Sequence, residues 1–214
     1  MYLSKLALNP RNRQVQRELA NPYQLHRTLM KGFPESLPAD ERVLHRLDVD
    51  PRSGEVTVLV QSLYEPNWQP LVKAGNGHYL RTPPPPPKKF DPMLKAGRRL
   101  RFRLRANPTV KTRSERNPSK KTRVPLKKEE QQTEWLDRKA AQHGFRVVQV
   151  QVAKLGDQTG RIKREEESHT LHIYTVQFDG ILQVTDPERF NHALRHGIGP
   201  AKSFGCGLLS LARE

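Results

Sequence analysis

Cysteine is almost missing from this chain. Its single occurrence, Cys206 in 214 residues, excludes an intrachain disulfide and any zinc site built on several thiolates. Long apolar runs are missing too, since no stretch approaches the ~18 unbroken apolar residues of a membrane helix. No membrane partner is therefore expected. Met1-Tyr2-Leu3-Ser4-Lys5 is not a basic region leading into an apolar run, so no secretory signal is read, and a reduced cytoplasm is the expected compartment. Aromatics are sparse at 7% and the hydrophobic share is only 35%, yet segments of clear apolar alternation argue against wholesale disorder. The largest deficit is in negative charge. Against 38 Lys+Arg stand 22 Asp+Glu, a net charge of +16. Such a surplus points to a polyanionic partner, with nucleic acid the first candidate.

The charge is concentrated. Residues 98–128 hold thirteen Lys/Arg and one acid, Glu115, while the rest of the chain is close to balanced. That distribution suits a binding surface better than a generally soluble coat. The length suits one large domain or two small ones, at about 100–200 residues per domain.

Local patterns divide the chain in two. Residues 1–9 read as a strand ended by Pro10, followed by a short helix at 13–19. Asn21-Pro22 then forms a helix start, with Asn as N-cap and Pro at the first helical position, and the helix runs from Tyr23 to about Lys31. Residues 42–50 and 55–63 are β-rich around the turn Pro51-Arg52-Ser53-Gly54 and predict a hairpin. A short helix near 68–73 and a strand near 78–82 complete the order β-α-β-β-α-β. Pro83–Pro87 marks a semi-rigid linker. A second unit begins at Arg98, where Leu100, Phe102 and Leu104 alternate with Arg99, Arg101, Arg103 and Arg105, a half-buried strand with a cationic outer face. Residues 106–125 predict a mobile loop. A helix over 128–143, strands at 145–155, 169–178 and 181–185 with a basic tip at Arg161-Ile162-Lys163-Arg164, a helix from 186 to 196 and a strand at 208–211 follow. The expected architecture is α+β: two tandem ferredoxin-like (βαββαβ) domains, 1–82 and 98–214, joined by a Pro-rich linker at 83–97.

Three stretches can carry chemistry. On the helix at 23–31, Tyr23, His26, Arg27 and Met30 share one face, opposite Leu25, Thr28 and Leu29, with Lys31 at the rim. The competing reading is an ordinary solvated face. The loop Gly197-Ile-Gly199-Pro-Ala-Lys202-Ser-Phe-Gly205-Cys-Gly207 can bring backbone N–H groups and a cation to a phosphate, or can be a flexible turn. Its spacing fits neither an NTPase phosphate loop nor a dinucleotide fingerprint. The arginine strand, the 111–128 segment, and Arg161, Lys163 and Arg164 can track phosphates. Trp68 and Trp135 are read as core residues, and His169-x-x-His172 lacks acidic or thiol partners at metal spacing, so no metal is expected.

These pieces resemble a family. Leu8-Asn9-Pro10, Leu19-Ala20-Asn21-Pro22-Tyr23-Gln24-Leu25-His26-Arg27-Thr28-Leu29, the run from Arg99 to Pro108, and the closing Gly199-x5-Gly205-x-Gly207 are similar to the CasE family of CRISPR-associated endoribonucleases. The resemblance spans nearly the whole chain in order and spacing. It implies a cofactor-free, metal-independent enzyme that cuts CRISPR repeat RNA beside a stem-loop. It also implies that the enzyme stays on the guide RNA among other Cascade subunits. By position it makes His26 the catalytic histidine, Tyr23 its companion and Lys31 a helper. The serine that some members carry after this lysine is absent, for Gly32-Phe33-Pro34 follows. Without metal, RNA is cut most simply by its own 2′-hydroxyl attacking the adjacent phosphorus. Histidine, with an ordinary pKa of ~6.5, can serve that reaction as base or acid. Arg27 and Lys31 can stabilise the phosphoryl charge, and Gly199, Lys202, Gly205 and Gly207 join the arginines in binding RNA. Two alternatives share the same features: a non-catalytic RNA-binding subunit of the same superfamily, and a general ribosomal-type RNA binder.

Overall fold

Alternating apolar positions set the frame of the first unit. In the computed structural model, which describes residues 1–113, 121–164 and 167–214 (backbone alone at 161–169 where described, and at 171), β1 (Tyr2–Leu8) buries Leu6 and Leu8. β3 (Val56–Ser62) buries Val56, Val58 and Val60 beside it. β1 pairs antiparallel with β3 from Tyr2 opposite Ser62 to Leu8 opposite Val56, and β2 (Leu44–Val49) lies on the other side of β3. The β2–β3 turn is held by the Asp50 carboxylate, which accepts from the N–H groups of Arg52 and Ser53. Helices α1 (Arg13–Ala20), α2 (Pro22–Met30) and α3 (Gln69–Lys73) contribute Val15, Leu25, Leu29 and Leu71 to the same core as these strands.

The fourth strand is not where the spacing predicts it. The 78–82 segment makes only a single bridge, Leu8 to Leu80, and the edge resumes at β4 (Lys88–Lys89) opposite Leu3 and Tyr2. Pro83–Pro87 lies between them. Proline lacks the N–H a ladder needs, so the pairing lapses across the run and such a run is tolerated only at an edge. Part of the segment expected as a linker thus completes the first sheet, whose order is β2-β3-β1-β4.

The second sheet has the order β10-β5-β9-β8, from β5 (Arg99–Ala106), β8 (Phe145–Arg164), β9 (Glu167–Val184) and β10 (Leu209–Arg213). Helices α4 (Glu129–Gln142) and α5 (Pro187–His196) place Trp135, Leu136, Phe190 and Leu194 against Leu100, Phe102, Leu104 and Phe178. β8 and β9 run well past the expected lengths, with register irregularities between Val147 and Gln149 and between Lys154 and Gly156. The predicted break in β9 is absent. At Gly180 the backbone of Gln149 lies so close that an added Cβ would overlap it, so this glycine lets a neighbouring strand approach rather than ending one.

The expected mobile loop is ordered on both sides of 114–120, a segment outside the described residues. Thr109–Arg113 (β6) pairs with Lys121–Pro125 (β7) as a separate hairpin. All the strand pairs described here are antiparallel. Polar contacts link the two units: Gln61 Nε2 donates to the Leu194 carbonyl and Arg46 Nη1 to Ser210 Oγ, each at 2.5 Å. Among the described residues no helix is long and apolar enough to cross a membrane.

Candidate active site

A buried carboxylate fixes the orientation of α2. Glu18 of α1 is 4% exposed and accepts from Thr28 Oγ1 of α2 at 2.6 Å, from Tyr79 Oη at 2.5 Å and from Gln14 Nε2 at 2.9 Å. Burial, and then the Glu18 charge, push the Tyr79 phenol upward, so its proton stays on the donor side of this bond. With Leu25, Thr28 and Leu29 buried, the helical period turns His26 away from the core. Asn21 does not make the expected side-chain cap on α2. Its backbone N–H instead closes α1 on the carbonyls of Arg17 and Glu18, while Pro22 occupies the first turn.

His26 is not an ordinary solvated side chain. It is half-buried, and its Nδ1 is shut from solvent without a hydrogen-bond partner. The ring of His45, from β2, stacks 5.6 Å away at 14°. Tyr23 is tilted at 6.5 Å and stacks in turn on Phe204 at 5.9 Å. Phe204 lies against Gly160 of β8, where an added Cβ would overlap the phenyl ring. The extension of β8 beyond its expected end is therefore what backs this aromatic row. Burial lowers the His26 pKa, raising the neutral imidazole fraction near neutral pH. Complete burial, with the His26 and Arg105 charges adding to it, pushes His45 down to about 3.

His26 shares a cleft of about 550 Å³ with Arg42, Arg123, Lys202, Ser203 and Glu41. Burial, then Arg42 and Lys139, lower the Lys202 ammonium pKa, the signature of a cation crowded by others. The one carboxylate in the wall is already engaged. Glu41 accepts from the backbone N–H groups of Leu63 and Tyr64 at 3.0–3.1 Å. An imidazole facing three cations can exchange a proton beside a bound phosphodiester while they offset its charge. Among the described residues there is no group of three or more His, Cys, Asp or Glu that could hold a metal ion.

The other candidate residues are dispersed. Arg27 is exposed, and Lys31 is exposed at the C-cap of α2; neither lines the cleft. Gly199 and Lys202 do line it. Gly205 and Gly207 lie behind, and their N–H groups are donated to the carbonyls of Lys202 and Arg105 rather than toward a ligand. Gly205, at φ +79°, brings its backbone over His45, whose Nε2 would lie 3.6 Å from an added Cβ.

The arginine strand alternates as its sequence predicts, but three of its four outward-patterned arginines, Arg99, Arg103 and Arg105, face carboxylates. Arg99 meets Glu214 at 2.8 Å and Arg103 meets Asp179 at 2.6 Å. Arg105 is largely buried, 3.7 Å from Asp48. Arg101 and Arg103 line a second groove with Arg46, Gln149 and Gln151. The side chains of Arg161, Lys163 and Arg164 lie outside the described residues. Sequence reading missed His45, Arg42 and Phe204. For His45 the one available signal is its place in the β-rich stretch at 42–50, directly after Val43-Leu44.

Two antiparallel sheets packed with helices, a basic hairpin and an imidazole cleft ringed by cations define a mixed α/β protein built to handle a polyanion. The chain belongs to the family described as CRISPR associated protein, whose model matches residues 1–213. It is 42% identical to the CRISPR-associated endoribonuclease Cse3 of Thermus thermophilus, over 99% of this chain and 100% of that protein. It is 35% identical to the CRISPR system Cascade subunit CasE of Escherichia coli K12, over 99% of each. Thermus thermophilus Cse3 bound to an RNA representing a pre-cleavage complex superposes with a TM-score of 0.81 at 40% identity, covering 99% of this chain and 98% of the other.

Proposed function

We propose that this chain is an endoribonuclease that cuts CRISPR repeat RNA at a stem-loop and keeps the mature guide RNA as a Cascade subunit. Whole-length identity to Cse3 and to CasE supports the activity and the assembly. The observation that carries the chemistry is His26, half-buried in a cleft with Arg42, Arg123 and Lys202. The scaffold is read as two tandem ferredoxin-like units, the first extended past the expected boundary at 82 to take in β4 (Lys88–Lys89) and the second 98–214. In each sheet the unit's first and third strands lie at the centre and its fourth and second at the edges, which supports that reading.

In the proposed reaction the ribose 2′-hydroxyl attacks the adjacent phosphorus, a 2′,3′-cyclic phosphate forms and the 5′-oxygen leaves with a proton. His26 moves a proton, and its lowered pKa keeps it neutral and able to accept one near neutral pH. Tyr23 holds the imidazole and the ribose in register. Arg42 and Lys202 offset charge on the phosphoryl oxygens. Arg27, Lys31, Gly199 and the exposed cations of the β6–β7 hairpin hold the RNA around the cleft, with Arg161, Lys163 and Arg164 assigned the same role from sequence.

The test is cleavage of repeat RNA by the purified protein in EDTA, beside a substrate with a 2′-deoxy at the scissile nucleotide. The first is cut, and the second is bound without cutting. His26→Ala abolishes cutting, a loss of at least about 10²-fold, with affinity retained. Cutting of the deoxy substrate overturns the mechanism. Undiminished cutting by His26→Ala overturns the site and moves the chemistry to another part of the chain, whereas binding without any cutting by the parent leaves the reading of a non-catalytic RNA-binding subunit.

A further inference from the structure

His45 is an anomaly. It is 1% exposed, and neither ring nitrogen has a hydrogen-bond partner. A buried polar group left unpaired costs about 1–3 kcal/mol, so a histidine here is worse for stability than a plain hydrocarbon of its shape. A purely structural role would favour leucine or phenylalanine. What distinguishes the position is its neighbour, for the His45 ring lies nearly parallel to that of His26.

We propose that His45 is a positioning residue for cleavage: a flat ring buried behind the cleft wall that fixes the plane of His26 and keeps water from its inner side. The inference rests on the reading of His26 as the proton-transfer group. α2 sets where His26 begins but not how its ring turns about its side-chain bonds. Tyr23 meets it obliquely at 41°, whereas His45 meets it at 14° and so defines a plane. The His45 ring is itself fully enclosed, with Gly205 across from its edge and Arg105 contributing positive charge nearby. Around His26 stand Tyr23 on α2, Glu41 and Arg42 before β2, Arg123 on β7 and Lys202 in the glycine loop, while Arg105 on β5 is the further charge that acts on His45. With Arg105 already nearby, a protonated His45 would add a charge beside His26. Its complete burial prevents that, so the plate stays neutral.

The experiment compares His45→Phe, His45→Leu and His45→Ala with the unaltered protein and with His26→Ala. Single-turnover cutting is followed from pH 5 to 9, and affinity is measured with the 2′-deoxy repeat RNA. His45→Phe keeps the plane and cuts within about threefold of the parent with its pH profile unmoved. His45→Leu has similar bulk but no plane and loses about tenfold or more in rate at unchanged affinity, as misplaced catalytic groups do. In His45→Ala water reaches the inner side of His26, and the limb of the profile belonging to His26 moves toward higher pH. If the Ala variant fails to fold, the Phe–Leu comparison decides alone. Equal rates for Phe and Leu overturn the plate, and slow cutting by both overturns it in favour of an imidazole nitrogen that acts directly. Parental cutting by His26→Ala would instead remove the underlying reading, a different result.

Discussion

At the scale of single residues, two stacked histidines are both harder to protonate in the fold than free in solution, and the fold bears the consequence. An unfolded His45 takes up a proton below its ordinary 6.5, whereas the folded one resists until about 3. The stability this neutral ring contributes is complete above 6.5 and is lost as pH falls from 6.5 toward 3, because the unfolded state binds the extra proton. The loss is at most about 1.4 kcal/mol per pH unit. His26, also lowered by burial, acts in the same direction. Urea unfolding at pH 7, 6 and 5 therefore shows a falling midpoint for the parent and a shallower fall for His45→Phe. Parallel curves for the two proteins would mean that the buried ring is protonated in the fold. Cys206, pushed up to about 12 by burial, stays a thiol across this range and takes no part.

At the scale of elements, α2 is the working part and Glu18 is what holds it. Replacing Glu18 with Ala leaves the hydroxyls of Thr28 and Tyr79 buried without their acceptor. The expected cost is about 2–4 kcal/mol, read as a lower urea midpoint. Slower cutting accompanies it in the fraction still folded, because His26 rides on the helix that shifts. A Glu18→Ala protein as stable as the parent would show that apolar packing of Leu25 and Leu29 suffices. Most of the elements were legible in the sequence because they obey local rules. Alternation marks β1, β3 and β5, Pro22 marks the start of α2, and Gly144 marks the end of α4. Three things were not legible. The edge strand moved past the prolines because a partner, β1, decides where pairing resumes. The β6–β7 hairpin was hidden by its own charge, which resembles disorder until the Thr and Val positions are paired. The site was half visible: helical period displays Tyr23 and His26, but His45, Arg42 and Phe204 reach them only through tertiary packing that no short-range pattern encodes.

At the scale of the whole molecule, the question is which of the surplus charges meet RNA. Composition suggests the arginine strand, but Arg99 and Arg103 each face a carboxylate and Arg105 is turned inward toward Asp48. A cation already paired releases fewer RNA counterions on binding than one pointing into solvent. Lys111, Arg113 and Lys121 on the β6–β7 hairpin are exposed, and Arg123 of the same hairpin lines the His26 cleft. The hairpin thus carries positive charge from solvent to the reacting centre, the geometry of an electrostatic guide. The salt dependence of repeat-RNA binding separates the two surfaces, since each phosphate contact contributes about 0.7–0.9 to the slope of log affinity against log salt. The triple variant Lys111→Gln, Arg113→Gln, Lys121→Gln is expected to lower that slope by about 2. The charge-balanced double variant Arg103→Gln, Asp179→Asn is expected to leave it unchanged. If instead the double variant loses a full unit and the triple none, Arg103 exchanges Asp179 for a phosphate on binding, and the RNA tracks the sheet rather than the hairpin.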